Sequence, residues 1–77
     1  MTAALVEYLA RQLVDDPESV QVDETERDGD LVLRLRVAQD DVGKVIGRSG
    51  RMVRALRTVV RATGARENRR VLLEIVE

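Results

Sequence analysis

Seventy-seven residues leave room for one small domain, spanning 1–77, with a core near the lower limit for independent folding. The chain has no cysteine and no histidine, which excludes disulfides, thiolate metal sites and cysteine nucleophiles and removes the commonest general base. Its net charge of −1 hides an asymmetry: residues 1–43 hold four arginines against eleven acids, net −7, and residues 44–77 hold nine basic residues against three glutamates, net +6.

In chain order, residues 3–14 place Leu5, Val6, Leu9, Ala10 and Leu13 on one side of a helix. Asp15-Asp16-Pro17 ends it, because the residue before a proline is pushed out of the α region. Val20 and Val22 alternate with polar residues, predicting a half-exposed strand through Glu26. Arg27-Asp28-Gly29-Asp30 is a hairpin signal, since Asp-Gly tolerates the positive φ angles of a tight turn. Residues 31–38 form the clearest strand, with Leu31, Leu33, Leu35 and Val37 on one face and Val32, Arg34, Arg36 and Ala38 on the other. Asp40-Asp41 fits the capped start of a short helix over 41–46, where a carboxylate accepts backbone N–H groups. A longer helix is expected over 51–63 with Gly64 as its C-terminal cap, and residues 71–76 alternate as a last strand. Helices packed on one face of a three-stranded sheet, an α+β sandwich, bury this order economically.

Between the short and the longer helix lies Gly47-Arg48-Ser49-Gly50, two glycines bracketing a cation and a hydroxyl. Glycine permits a tight turn and close approach of another backbone, which suits a loop that clamps a phosphodiester chain. From Lys44 to Arg70 the only acid is Glu67, so the positive field centres on this loop. At about 100° per residue, Arg51, Arg54, Arg57 and Arg61 share one side of the following helix. Met52, Val53, Leu56, Val59 and Val60 share the other, and Ala55 and Ala62 broaden that apolar arc beyond what one sheet contact requires. The charged side holds no acid to balance it, which points to an anionic ligand for at least Arg51 and Arg54.

Gly43-Lys44-Val45-Ile46-Gly47-Arg48-Ser49-Gly50 between two helices resembles the signature of KH (K-homology) nucleic-acid-binding domains. The helix–strand–strand–helix–helix–strand order is similar to the bacterial type II version. The length is similar to the small stand-alone bacterial KH proteins, the KhpA-like family. The resemblance implies that the Gly47–Gly50 loop contacts the sugar-phosphate backbone of single-stranded RNA, or less often single-stranded DNA. It also implies that the Gly43–Ile46 helix, the start of the Arg51 helix and a sheet edge line a groove for about four unpaired bases. Gly43 would keep the helix surface low enough for a base, and Val42, Val45 and Ile46 would supply apolar contact or support. Arg48 offers a charged fork to phosphate oxygens, while Lys44 and Arg51 add field rather than base recognition. The Ser49 hydroxyl fits two roles equally, phosphate contact or capping its own helix. Arg66, Arg69 and Arg70 either widen the basic surface or form a solvated loop.

Tyr8 is the only aromatic residue and lies in the first helix, so no stacking platform is available and low sequence specificity follows. The paired acids suit helix ends, no His or Cys accompanies them, and the glycine loop lacks the Lys-Ser/Thr ending of a P-loop. An RNA-binding protein without catalysis, metal or cofactor is therefore expected, in the role of an RNA chaperone or post-transcriptional regulator. The alternative is a KH-fold adaptor acting through protein contacts. The broad apolar arc motivates it, and the resemblance implies self-pairing and a larger KH-containing partner. No apolar run approaches membrane-spanning length and residues 1–15 lack a signal-peptide pattern, so a cytoplasmic protein without a membrane partner is expected.

Overall fold

Helix α1 (Thr2–Leu13) stops ahead of Asp15-Asp16-Pro17, as the proline requires, and Pro17–Ser19 form a single 3₁₀ turn. Strands β1 (Gln21–Arg27) and β2 (Asp30–Arg36) follow, then a 3₁₀ turn at Gln39–Asp41, helix α2 (Val42–Ile46), helix α3 (Arg51–Arg66) and strand β3 (Val71–Val76). This computed structural model describes residues 2–76.

Asp28 and Gly29 turn the hairpin with φ of 54° and 84°, the consecutive positive values of a type I′ turn, and Arg27 pairs with Asp30 across it. β1 runs antiparallel to β2, and β3 lies parallel on the other side of β2, in the order β1-β2-β3. A parallel neighbour demands a long crossover, and α2 with α3 supplies it. This is the α+β arrangement expected from the sequence.

Leu33 and Leu35 are fully buried beneath Val6 and Ala10 of α1, Val45 of α2, and Leu56 and Val60 of α3. Val71 and Leu73 extend this core under α3. Val32 points to the opposite face, yet it too is fully buried. The register explains it: Arg27 on β1 reaches across β2 to Glu74 on β3, and Arg34 also approaches Glu74, at 3.7 Å. Their aliphatic stems cover the valine, and the Arg34 Nε is buried there too, without a hydrogen-bond partner among the described residues.

Three boundaries depart from the sequence reading. β2 ends at Arg36 rather than at Ala38, because the Ala38 carbonyl accepts the Asp41 N–H at 2.8 Å and opens the 3₁₀ turn. α3 runs through Gly64 to Arg66, so Gly64 is not a cap; the left-handed residue past the helix is Asn68, with φ of 54°. Gly64 serves packing instead. A Cβ there would lie 2.5 Å from the Arg69 carbonyl oxygen and 2.7 Å from Cγ2 of Val71, so only glycine lets the incoming β3 chain come this close. Asp41 is the third departure. Its buried carboxylate caps no helix; it accepts the N–H groups of Asp15 and Asp16, at 3.2 and 3.1 Å. Those donors lie just past α1 with no helical partner, and a buried carboxylate satisfies them.

Candidate nucleic-acid interface

α2 is short because Gly47 leaves the helical region, with φ 76° and ψ 171°, a conformation open essentially to glycine alone. Its N–H still reaches the Gly43 carbonyl at 2.9 Å, closing the last turn of α2. Gly47 also lies against α3: a Cβ would sit 2.7 Å from the Met52 Cβ and 2.9 Å from the Met52 nitrogen. Ser49 and Gly50 then adopt left-handed φ values of 57° and 75°, and the Gly50 N–H bonds back to the Gly47 carbonyl at 3.1 Å. The result is a tight knuckle whose tip, Arg48 and Ser49, is exposed.

α3 begins at this knuckle with no side chain capping its first amides. The Ser49 hydroxyl takes no capping role, which decides one of its two sequence-level alternatives. An uncapped helix start beside exposed Arg48 and Arg51 combines free N–H donors with positive charge, a setting that favours an anion. Arg54 turns back toward the loop and donates from Nη2 to the Ser49 carbonyl at 3.0 Å, bracing the strained serine.

The remaining sequence candidates separate by burial. Gly43 is exposed, and a Cβ there would meet nothing within 4 Å. Ile46 is half-buried, Val42 is buried, and Val45 is wholly inside the core. Lys44 is held by Asp15 and by Asp41, the latter at 3.3 Å. The Asp15 and Asp41 carboxylates raise the Lys44 ammonium above its ordinary value. Burial alone would raise the Asp41 carboxyl, but the N–H groups of Asp15 and Asp16 together with Lys44 hold it below the usual value. Arg69 pairs with Glu26 and Arg70 lies 3.9 Å from Asp30, so these two are occupied within the fold.

Sequence reasoning missed the Asp15–Asp41–Lys44 junction, which ties the end of α1 to α2 and thereby fixes the knuckle's base. It also missed Met52 as the surface on which Gly47 rests. No local pattern marks either one, since both depend on packing between separate elements.

The sequence matches the family model described as "KhpA/KhpB, KH domain" over residues 3–75. The chain belongs to this KH-domain family. It is 47% identical over 72 residues to RNA-binding protein KhpA of Clostridium acetobutylicum, covering 94% of this chain and 96% of the relative. RNA-binding protein KhpA of Treponema pallidum is 47% identical over 77 residues, covering 100% and 96%. Among solved structures, Aquifex aeolicus Era bound to GDP and aluminium fluoride superposes with a TM-score of 0.62 at 22% identity, over 96% of this chain and 29% of Era. Era in complex with a nucleotide and a segment of 16S ribosomal RNA gives 0.63 at 22%, over 96% and 28%. The chain thus spans under a third of Era's length, and the likeness is one of fold.

Proposed function

We propose that this protein binds single-stranded RNA in the cytoplasm without catalysing a reaction, as a low-specificity RNA chaperone or post-transcriptional regulator. The Gly47–Gly50 knuckle clamps the sugar-phosphate backbone. The observation that carries this reading is the knuckle's own geometry: left-handed turns hold Arg48 and Ser49 outward at the uncapped start of α3. Phosphate oxygens there meet backbone amides, a hydroxyl and the Arg48 and Arg51 guanidinium groups. Open space above Gly43 and the half-buried Ile46 leave room for unpaired bases beside the backbone. Val45 supports this surface from the core, and Lys44 contributes charge from its tether. The relatives named RNA-binding protein KhpA support the same ligand class. The test compares short single-stranded RNA binding by the wild type and by Arg48→Asp/Ser49→Asp. Two added acids at the tip should reduce affinity by at least tenfold or so. Equal affinity, with the fold intact by circular dichroism, would sink the clamp.

A specific surface supports a second role in self-association or pairing with a larger KH-containing protein. A groove of about 250 Å³ runs between α1 and α3, lined by Leu9, Leu13, Met52, Ala55, Leu56 and Val59 with Gln12 at its rim. Leu5 and Tyr8 of α1 and Val59 of α3 are exposed on the same two helices, at 37%, 61% and 36%. An apolar patch of this kind favours burial against a partner. Solution mass over a concentration series checks it, and a monomer at every concentration would remove the homodimer.

A further inference from the structure

Lys44 differs from the other cations around the knuckle. Arg48, Arg51 and Arg54 have no carboxylate partner among the described residues, whereas Lys44 has two, Asp15 and Asp41. Those two acids are held in different ways. The Asp41 side chain is 3% exposed, and its carboxylate is committed to the N–H groups of Asp15 and Asp16, so it stays where the fold puts it. The Asp15 side chain is 81% exposed, and Lys44 is the one partner of its carboxylate among the described residues. Only the Asp15 main chain is fixed, by its N–H bond to Asp41 Oδ1 at 3.2 Å. A solvent-facing carboxylate is thus presented to the ammonium from an anchored backbone.

The ammonium also lies close to the clamp. Gly47, the first residue of the knuckle, stands three residues beyond Lys44, about 4.5 Å along the α2 axis. The flexible four-carbon stem of a lysine covers that distance. Two carboxylates beside one ammonium offset most of the charge that Lys44 contributes to the loop. Asp41 cannot leave without stranding two main-chain donors. Asp15 can, because an ion pair this exposed is weak and a phosphate oxygen replaces it in kind.

We propose that Asp15 is a positioning residue that restrains RNA binding by occupying Lys44. In the free protein its carboxylate holds the ammonium; a backbone phosphate seated at the knuckle displaces it and takes the lysine. Asp41 keeps the ammonium beside α2 throughout the exchange. Affinity is therefore set below what the loop and its cations would give unopposed. The proposal rests on the RNA-clamp reading, and its experiment separates the two.

Binding of labelled octa-uridylate is measured by fluorescence anisotropy over a salt series, with urea midpoints read on every protein. Asp15→Asn removes the exposed charge and leaves the main-chain bond to Asp41; it should bind about three- to fivefold tighter, the strength of one exposed ion pair. Asp40→Asn removes the same charge from an exposed acid that has no cationic partner among the described residues, and should change affinity by less than about twofold. Asp15→Glu keeps the carboxylate and should stay near wild type. Lys44→Gln should shrink the slope of log K against log salt by about 0.7, one phosphate contact. In that background the gain from Asp15→Asn should vanish, since the double-mutant cycle reads the coupling of the two side chains. Equal gains from Asp15→Asn and Asp40→Asn would overturn the restraint in favour of bulk charge. A gain that survives Lys44→Gln would overturn it as well, and so would an Asp15→Asn affinity equal to that of the wild type. Failure of the clamp has its own signature: Arg48→Asp/Ser49→Asp would then bind as wild type does.

Discussion

The glycines at positions 43, 47 and 50 should respond to alanine in three different ways. At Gly47 the φ/ψ pair of 76° and 171° is a region that costs a side-chain-bearing residue about 1–3 kcal/mol. The added Cβ would also press to 2.7 Å against Met52, and overpacking of that kind costs about 1–3 kcal/mol more. Together they give about 2–6 kcal/mol, a large share of the roughly 4–11 kcal/mol expected for 77 residues. Gly50 is left-handed but opens into space, so alanine there costs only the left-handed penalty of about 1–2 kcal/mol. Gly43 sits in α2 with no neighbour within 4 Å, and alanine should stabilise by about 0.5–1 kcal/mol. Urea unfolding followed by circular dichroism measures all three, and thermal midpoints should move by about 4–8 °C per kcal/mol. The ranking, Gly47 far below Gly50 and Gly43 above wild type, is the content of the prediction. If Gly47→Ala proves as mild as Gly50→Ala, the contact with Met52 is not what holds the loop. Under the proposed function Gly43→Ala should also weaken RNA binding while it raises stability, because its methyl enters the space left for a base.

Two further expectations follow from packing and charge. Gly64→Ala should destabilise by about 1–2 kcal/mol despite the usual helix preference for alanine, because the Cβ collides with the Arg69 carbonyl. Gly64→Asn should be worse still, whereas a left-handed cap would prefer asparagine; urea midpoints that rank asparagine above alanine would restore the cap. The Asp41 carboxyl is held below its ordinary 3.8, so its stabilisation is present above that value and lost as pH falls through the lower folded one. Lys44, raised above 10.5, adds stability that is complete below that value and disappears as pH rises past its folded one. Wild type should therefore exceed Asp41→Asn in urea midpoint at neutral pH, with the gap closing at acid pH. A gap that stays constant from about pH 2 to pH 7 would mean that the carboxylate charge is not what matters.

What could be read along the chain was what depends on near neighbours. The period of Leu5, Val6, Leu9 and Leu13 located α1, alternation from Leu31 located β2, and Asp28-Gly29 located the turn, because helix, strand and turn preferences act over a few residues. Gly47 and Gly50 marked the knuckle for the same reason: their positive φ values are a local demand. The arginine run was visible too, as charge without nearby acid.

Tertiary structure decided which charges remained available and which apolar residues reached the surface. Asp41 was read as a cap for the helix that follows it, but its partners lie 25 and 26 residues away, at the end of α1. Val32 alternates to the open face, yet Arg27 spans two strands to cover it. Gly64 looked like a helix end because its neighbours in sequence gave no sign that β3 returns against it. Whether Lys44 or Arg57 is bound within the fold likewise depends on where α1 and β3 come to rest. Sequence alone set the elements and the chemistry of the loop, since both arise from the backbone and side chains of a few adjacent residues. Only the folded arrangement could assign the partners, since burial and ion pairing are contests among groups far apart in the chain.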